Sequence, residues 1–398
     1  MAVSRTPARE AMSPPEHPPT KPLAGGVLRG WLPRWHQWLA SNRLASQGDS
    51  PILQRGPRSA QQVAAGALLA GAITFGLLHL GLVTTAAMTW LIRDPVYADK
   101  ELRLARIERA APGTPVVVFL GTSRGGYGFE AGRVVQATGG RIEAFNFGIP
   151  ATGPVSHLVY LRRLVEAGHR PALLLVEILP PALADLPDGP LEGRFADGNR
   201  FRQAELNQVA GYRFPVAKLR SQWRESLINP WYSYRFHLLG RISPTLLPWH
   251  VRFDWGRPPD PRGWNAAIGP EPVGEQAQAG FQQATLEYAG ILRTTRPGGP
   301  AVQALSQLLD LAREHGIPTR LVLMPEAVPF QALYPRAYRV KLEQVLAEVA
   351  RDVPIHDARN WVPDDGFRDG HHLNRTGAAL FTDRLIREVI GPALGGLQ

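Results

Sequence analysis

Val116-Val117-Val118-Phe119-Leu120-Gly121-Thr122-Ser123-Arg124 is the stretch on which the fold turns. Its first five residues are β-formers without a polar break, the pattern of a strand covered on both faces. Gly121 permits a tight exit from that strand. Ser123 then places a hydroxyl at its tip, and Gly125 and Gly126 leave room around it. A helix starting here would aim backbone N–H groups at an oxyanion. The ordinary role for a serine at such a point is a helix N-cap.

Outward from this stretch, short apolar runs predict strands at 115–121, 141–147, 172–179, 319–324 and 354–358. Between and after them, leucines and valines at helical spacing predict helices at 155–167, 302–315, 338–349 and 376–389. Gly168 and Gly316 stand where the first two helices would end. Alternating strands and helices imply a three-layer α/β sandwich with a parallel sheet. Residues 187–300 break the alternation. They are rich in Pro, Arg and aromatics (Trp223, Trp231, Tyr232, Tyr234, Trp249, Trp255, Trp264) and read as an insertion. Those rings would either stack on sugars or form the insertion's own core.

The N-terminal part differs in composition. Residues 1–26, rich in Pro, Ala, Ser and Gly, read as disordered. Leu28, Trp31, Leu32, Trp35, Trp38 and Leu39, with Arg29, Arg34 and Arg43, suggest a helix lying in a membrane interface, although Pro33 interrupts it. Residues 63–92 contain no Asp, Glu, Lys or Arg, enough for a helix that crosses a bilayer. Basic residues before this span slightly outweigh those after it. The expected topology is therefore a single-pass protein of a bacterial inner membrane with its N-terminus in the cytoplasm and the α/β domain in the periplasm. The expected division is 1–60, a cytoplasmic segment; 61–93, the anchor; and 94–398, the α/β domain.

The 398 residues carry a formal net charge of +10 and no cysteine. Without cysteine there are no disulfides and no zinc-finger spacing. A basic balance suits nucleic acid, an anionic membrane or an acidic polymer. Much of the charge precedes the span, where an anionic leaflet accounts for it, so no nucleic-acid partner is expected. Gly126-Tyr127-Gly128-Phe129-Glu130-Ala131 fits the dinucleotide fingerprint only loosely, because its first glycine lies well past the strand end. No cofactor and no metal are expected.

The complement to Ser123 stands near the C-terminus: Asp369-Gly370-His371-His372-Leu373-Asn374, just before a predicted helix. A carboxylate three residues before an imidazole can orient it, and the imidazole can take the proton of Ser123 and return it. From the residues alone either His371 or His372 qualifies. The second strand ends in Asn146-Phe147-Gly148, where Asn146 could offer an amide and Gly148 a backbone N–H to the same site.

At these motifs the chain resembles the SGNH (GDSL-like) hydrolase superfamily. Gly121-Thr122-Ser123-Arg124 matches its first block, Asn146-Phe147-Gly148 its second and Asp369-Gly370-His371-His372 its fifth. The resemblance implies a flavodoxin-like parallel sheet, Ser123 as nucleophile, His372 as base, Asp369 as its orienting acid, and backbone N–H groups of Ser123 and Gly148 in an oxyanion hole. Arg124 and His371 are then candidates for contact with substrate. The third block, Gly-x-Asn-Asp, is replaced by Leu175-Val176-Glu177-Ile178-Leu179-Pro180, which supplies no asparagine. That departure and the anchor are similar to membrane-tethered relatives in polysaccharide O-acetylation. It implies an acyl-transferring or ester-hydrolysing enzyme on a cell-envelope polysaccharide, beside a membrane-bound O-acyltransferase. The competing expectation is a non-catalytic envelope assembly factor on the same fold.

Overall fold

The computed structural model describes residues 59–248, 259–266 and 274–395. The segments expected to be disordered (1–26) and interfacial (28–43), with Trp249 and Trp255, lie outside the described residues. Five strands form one parallel sheet: β1 Val116–Gly121, β2 Glu143–Gly148, β3 Leu173–Ile178, β4 Thr319–Leu323 and β5 Ile355–Asp357. Their order is β2-β1-β3-β4-β5, with every neighbouring pair parallel. The chain winds outward in both directions from β1, so the order reverses between β1 and β3. Ligands of such sheets bind outside the carboxyl ends of the strands at that reversal.

The principal helices are α1 Ala60–Met88, α2 Pro95–Ala110, α3 Ser123–Gly128, α4 Ala131–Ala137, α5 Pro154–Glu166, α6 Gln203–Ala210, α7 Val216–Ile228, α8 Pro230–Ser233, α9 Arg235–Ile242, α10 Glu275–Thr294, α11 Gly299–Glu314, α12 Arg336–Val349 and α13 Arg375–Leu385.

Side chains along a strand alternate between the two faces of the sheet, and both faces are covered. Val118, Leu120, Leu174, Val176 and Leu321 belong to one apolar cluster, with Leu158 and Leu161 of α5 and Leu305 and Leu308 of α11. Val117, Phe119, Leu173, Leu175 and Val322 belong to another, with Val134 of α4 and Phe381 and Leu385 of α13. Each such fully buried side chain stabilises the fold by about 1.5–3 kcal/mol relative to exposure. The result is the three-layer α/β sandwich.

The stretch at 187–300, between β3 and β4, is largely helical among its described residues. It is no separate body: Leu206 and Val209 of α6 and Leu219 of α7 join the same core as the sheet. Its aromatic residues divide. Tyr234 is buried and Trp223 packs on the core, whereas Trp231 and Tyr232 are exposed. Trp264 donates from Nε1 to the Tyr127 carbonyl at 2.7 Å.

Two compact units make up the chain, Met1–Ala70 and Gly71–Gln398. Their boundary falls inside α1. The helix ends at Met88, before the expected 92, because Thr89 is extended and a four-residue turn, Trp90–Arg93, follows. The buried Arg93 closes this corner. Its Nε donates to the Ala86 carbonyl at 2.8 Å and its Nη1 to the Phe201 carbonyl at 2.9 Å. The end of α1 is thereby tied to the insertion. α1 has a mean hydropathy of 1.9 and is long and apolar enough to cross a membrane.

Candidate active site

β1 ends at Gly121, and the chain turns at once into α3. The N-cap is Thr122, whose hydroxyl accepts from the Arg124 N–H at 3.1 Å. The capping role is therefore filled one residue early, and the Ser123 hydroxyl is left for another partner. That partner is His372, with Oγ 2.8 Å from Nε2. His372 Nδ1 is 2.7 Å from Asp369 Oδ2. An ionised carboxylate only accepts, so Nδ1 carries the proton and Nε2 presents a lone pair to the hydroxyl.

The loop that brings Asp369 and His372 here is self-supported. Asp369 Oδ1 accepts from the backbone N–H groups of His372 at 2.8 Å and His371 at 3.2 Å. Arg368 N donates to the His372 carbonyl at 2.9 Å. Gly370, at φ +87°, makes the left-handed turn that this closure requires. Burial alone would raise the Asp369 carboxyl, but the facing His372 and His371 hold it well below the usual carboxylate range.

Ser123, His372 and Asp369 line one cleft of about 330 Å³. Its walls include Ala151 and Thr152 after β2, Leu179 and Ala182 after β3, and Ala284 and Tyr288 of α10. The insertion thus supplies one wall. The N–H groups of Ser123 and Ala151 have no partner among the described residues. Ala151 sits at φ +59°, an uncommon conformation for a residue with a Cβ and one that concentrates at functional sites.

Four expected site residues are used differently. Asn146 is fully buried and does not face the cleft. Its Nδ2 donates to the carbonyls of Gly125 at 2.8 Å and Phe129 at 2.7 Å. Its Oδ1 accepts the Gly148 N–H at 2.8 Å, so that N–H is spent and cannot serve an oxyanion. A Cβ at residue 148 would also collide with the backbone of Gly126, which explains the glycine without any catalytic role.

Arg124 borders the cleft but is 1% exposed, its guanidinium turned to partners within the protein. It donates to the carbonyls of His371 at 3.2 Å and Pro325 at 2.9 Å, and to Glu326 Oε1 at 3.3 Å. His371 stacks on Phe330 at a centroid separation of 5.1 Å. Burial and the adjacent His372 push it down to about 4, so it is neutral at pH 7. Its Nδ1 lies 3.2 Å from Asp369 Oδ1 but makes no hydrogen bond. It is His372, not His371, that reaches Ser123.

One residue that the sequence reading set aside matters most to this geometry. Glu177, at the position of the missing third block, is buried behind the serine turn. Its Oε2 accepts from the Thr122 N–H at 2.7 Å and the Gly125 N–H at 3.0 Å, and its Oε1 from the Thr122 hydroxyl at 2.9 Å. The available signal was a lone acid inside an otherwise apolar strand. Asp369, His371 and His372 each place a donor atom within 4.8 Å of the others, a spacing that could hold a cation. Here Asp369 Oδ2 and both His372 ring nitrogens are occupied by the relay to Ser123.

No protein-family model matches the chain, and no curated protein matches it in sequence. Among solved structures, it is similar to a carbohydrate acetylesterase family member from Sinorhizobium meliloti. That likeness has 11% identity and a TM-score of 0.33, over 71% of this chain and 99% of the other. A second is a putative lipolytic protein of the G-D-S-L family from Desulfitobacterium hafniense DCB-2, at 10% identity and a TM-score of 0.31, over 68% and 98%. At these scores the likenesses carry no argument about chemistry, which rests on this chain's own site.

Proposed function

We propose that this chain is a membrane-anchored serine acyl-transfer or ester-hydrolysing enzyme acting on a cell-envelope polysaccharide. The observation that carries the reading is the hydrogen-bonded relay from Ser123 through His372 to Asp369 at the carboxyl rim of the sheet. Ser123 Oγ attacks an ester carbonyl while its proton passes to His372 Nε2. Asp369 keeps the ring oriented and stabilises the imidazolium. Collapse of the tetrahedral intermediate returns the proton to the leaving alcohol and leaves the acyl group on Ser123. A second hydroxyl, of water or of a sugar, then repeats the steps in reverse.

With Gly148 engaged by Asn146, the N–H groups of Ser123 and Ala151 are assigned to the oxyanion. Neither has a partner among the described residues, and both residues line the cleft. The apolar side chains of Leu179, Ala182 and Ala284 suit a short acyl group. α1 anchors the domain, and the topology with a periplasmic cleft follows from the charge balance around the span. A polysaccharide acceptor and a membrane-bound O-acyltransferase as acyl donor extend the family resemblance and rest on it alone. The detergent-solubilised chain tested on an activated acetyl ester is expected to release acetate and, when quenched, to carry acetate on Ser123. Equal hydrolysis by Ser123→Ala would refute the assignment.

A further inference from the structure

α1 is not uniformly free of the rest of the protein. From residue 60 to 78 every position is exposed. At about 1.5 Å per residue this stretch is about 28 Å long, close to the ~30 Å hydrocarbon thickness of a bilayer. From His79 the helix is shared with the insertion: His79, Leu82 and Val83 are half-buried and Ala86 is buried. The lipid boundary therefore falls near Phe75–His79. At that level Trp231 of α8 meets Phe75, with ring centroids 6.4 Å apart.

Around Trp231 lies an apolar and aromatic patch. Ile228 is 77% exposed, Tyr232 53% and Trp231 37%. Arg235 lies over the Tyr232 ring, its guanidinium carbon 3.7 Å from the centroid. Residues 216–248 carry Lys218, Arg220, Arg224, Arg235 and Arg241 against the single acid Glu225. Trp and Tyr rings at headgroup level, with basic side chains beside them, are the make-up of a segment that rests in an anionic membrane interface.

We propose that the α7–α9 segment of the insertion is a second membrane contact, seated through Ile228, Trp231 and Tyr232 in the anionic leaflet from which α1 emerges. This rests on the reading of α1 as a membrane span. The segment gives the domain a second point of attachment to the bilayer beside α1.

The chain has no cysteine, so single-cysteine variants can carry one nitroxide each. The full-length protein is placed in nanodiscs of phosphatidylcholine and phosphatidylglycerol, and collision of the label with oxygen is compared with collision with a water-soluble nickel chelate. Leu69→Cys reports the span, Ile228→Cys and Tyr232→Cys the patch, and Leu286→Cys an apolar position of α10 that is 80% exposed elsewhere. Labels at 69, 228 and 232 are expected to favour oxygen, and the label at 286 the chelate. Should 69 be lipidic while 228 and 232 behave like 286, the second contact is refuted and the span stands. That is also the result for a patch that docks a protein, because the nanodisc holds only this chain. Should 69 itself collide with the chelate, the span and the proposal fall together. Replacing phosphatidylglycerol by phosphatidylcholine is expected to lower the oxygen preference at 228 and 232 severalfold. An unchanged ratio overturns the role of the basic side chains.

Discussion

Glu177 offers the sharpest test of how the serine turn is held. Its carboxylate takes two buried backbone N–H groups, at 2.7 and 3.0 Å, from residues on either side of Ser123, and one hydroxyl at 2.9 Å. Glu177→Gln retains an acceptor oxygen for both N–H groups but loses the charge. A hydrogen bond to a charged group contributes about 1.5–3 kcal/mol and a neutral one about 1, so the loss is about 1 kcal/mol per N–H, or about 2 in all. The Thr122 hydroxyl must also reverse to accept from the new amide. Glu177→Leu leaves both N–H groups without an acceptor, at about 1–3 kcal/mol each. Because Thr122 is the residue before the proposed nucleophile, turnover is expected to follow the same order. A displacement of about 1 Å is enough to cost ~100-fold. Urea unfolding of the solubilised chain gives the stability, and steady-state hydrolysis of the activated ester gives kcat. Glu177→Gln is expected to lose about 2 kcal/mol and less than about tenfold in kcat, and Glu177→Leu about 2–6 kcal/mol and ~100-fold. Parental stability in Glu177→Gln together with parental kcat in Glu177→Leu would refute the buttressing argument. So would a rise in kcat, since it would mean that the negative charge beside the oxyanion outweighs the geometry.

Asp369→Asn keeps the shape but favours the wrong His372 tautomer. A loss of about 10⁴ in kcat with little change in KM is expected by analogy with other triads, and a loss below tenfold would mean that the ring is oriented by something else. Arg124→Met strands the buried Glu326 and three backbone carbonyls. Breaking such a pair costs about 3–5 kcal/mol, and a variant that unfolds at the parental urea midpoint would contradict the network described above. His169 is opposed by burial but raised to about 9 by Glu101 and Glu108. A raised folded value stabilises fully below the unfolded value of about 6.5 and is lost as pH climbs through about 9. The stability gap between the parent and His169→Gln should therefore shrink from about 1–3 kcal/mol at pH 6 to near zero above pH 9.5, and a pH-independent gap would show that the pairing is not electrostatic.

The sheet was legible because most of its residues are apolar and buried. Val116 to Leu120 are buried on both sides, and such a stretch tolerates nothing polar. Helix ends were legible where glycine marks them: Gly168 and Gly316 both adopt positive φ just beyond α5 and α11. The site was less legible because polar residues in a motif can point either way. Asn146 and Arg124 read as ligand-facing from their position beside the nucleophile, yet both are turned inward to satisfy backbone groups. Sequence does not record which side of a turn a side chain takes. Glu177 was passed over because its partners, two N–H groups, are backbone and leave no trace in residue identity. Ala151 carried no signal at all, since its left-handed conformation belongs to the chain path and not to the residue type.

Three inward-facing polar residues have one effect in common. Glu177 ties β3 to the serine turn, Asn146 ties β2 to the body of α3, and Arg124 ties α3 to the carbonyls after β4 and to His371. Ser123 and His372 of the Asp–His loop are 249 residues apart. They come from opposite ends of the domain, and no single strand positions both. What aligns them is this buried polar scaffold beneath the rim, in which every strand but β5 is joined to α3. The side-chain polar atoms of Glu177 and Asn146 are all hydrogen-bonded, and buried polar groups satisfied in this way favour one arrangement over near alternatives. Glu177 works from behind the turn and braces it through three hydrogen bonds. The result is a rigid seat for Ser123. Preorganised donors aimed at the developing charge do most to stabilise an acyl-transfer transition state, and a turn held this firmly suits the chemistry proposed for Ser123.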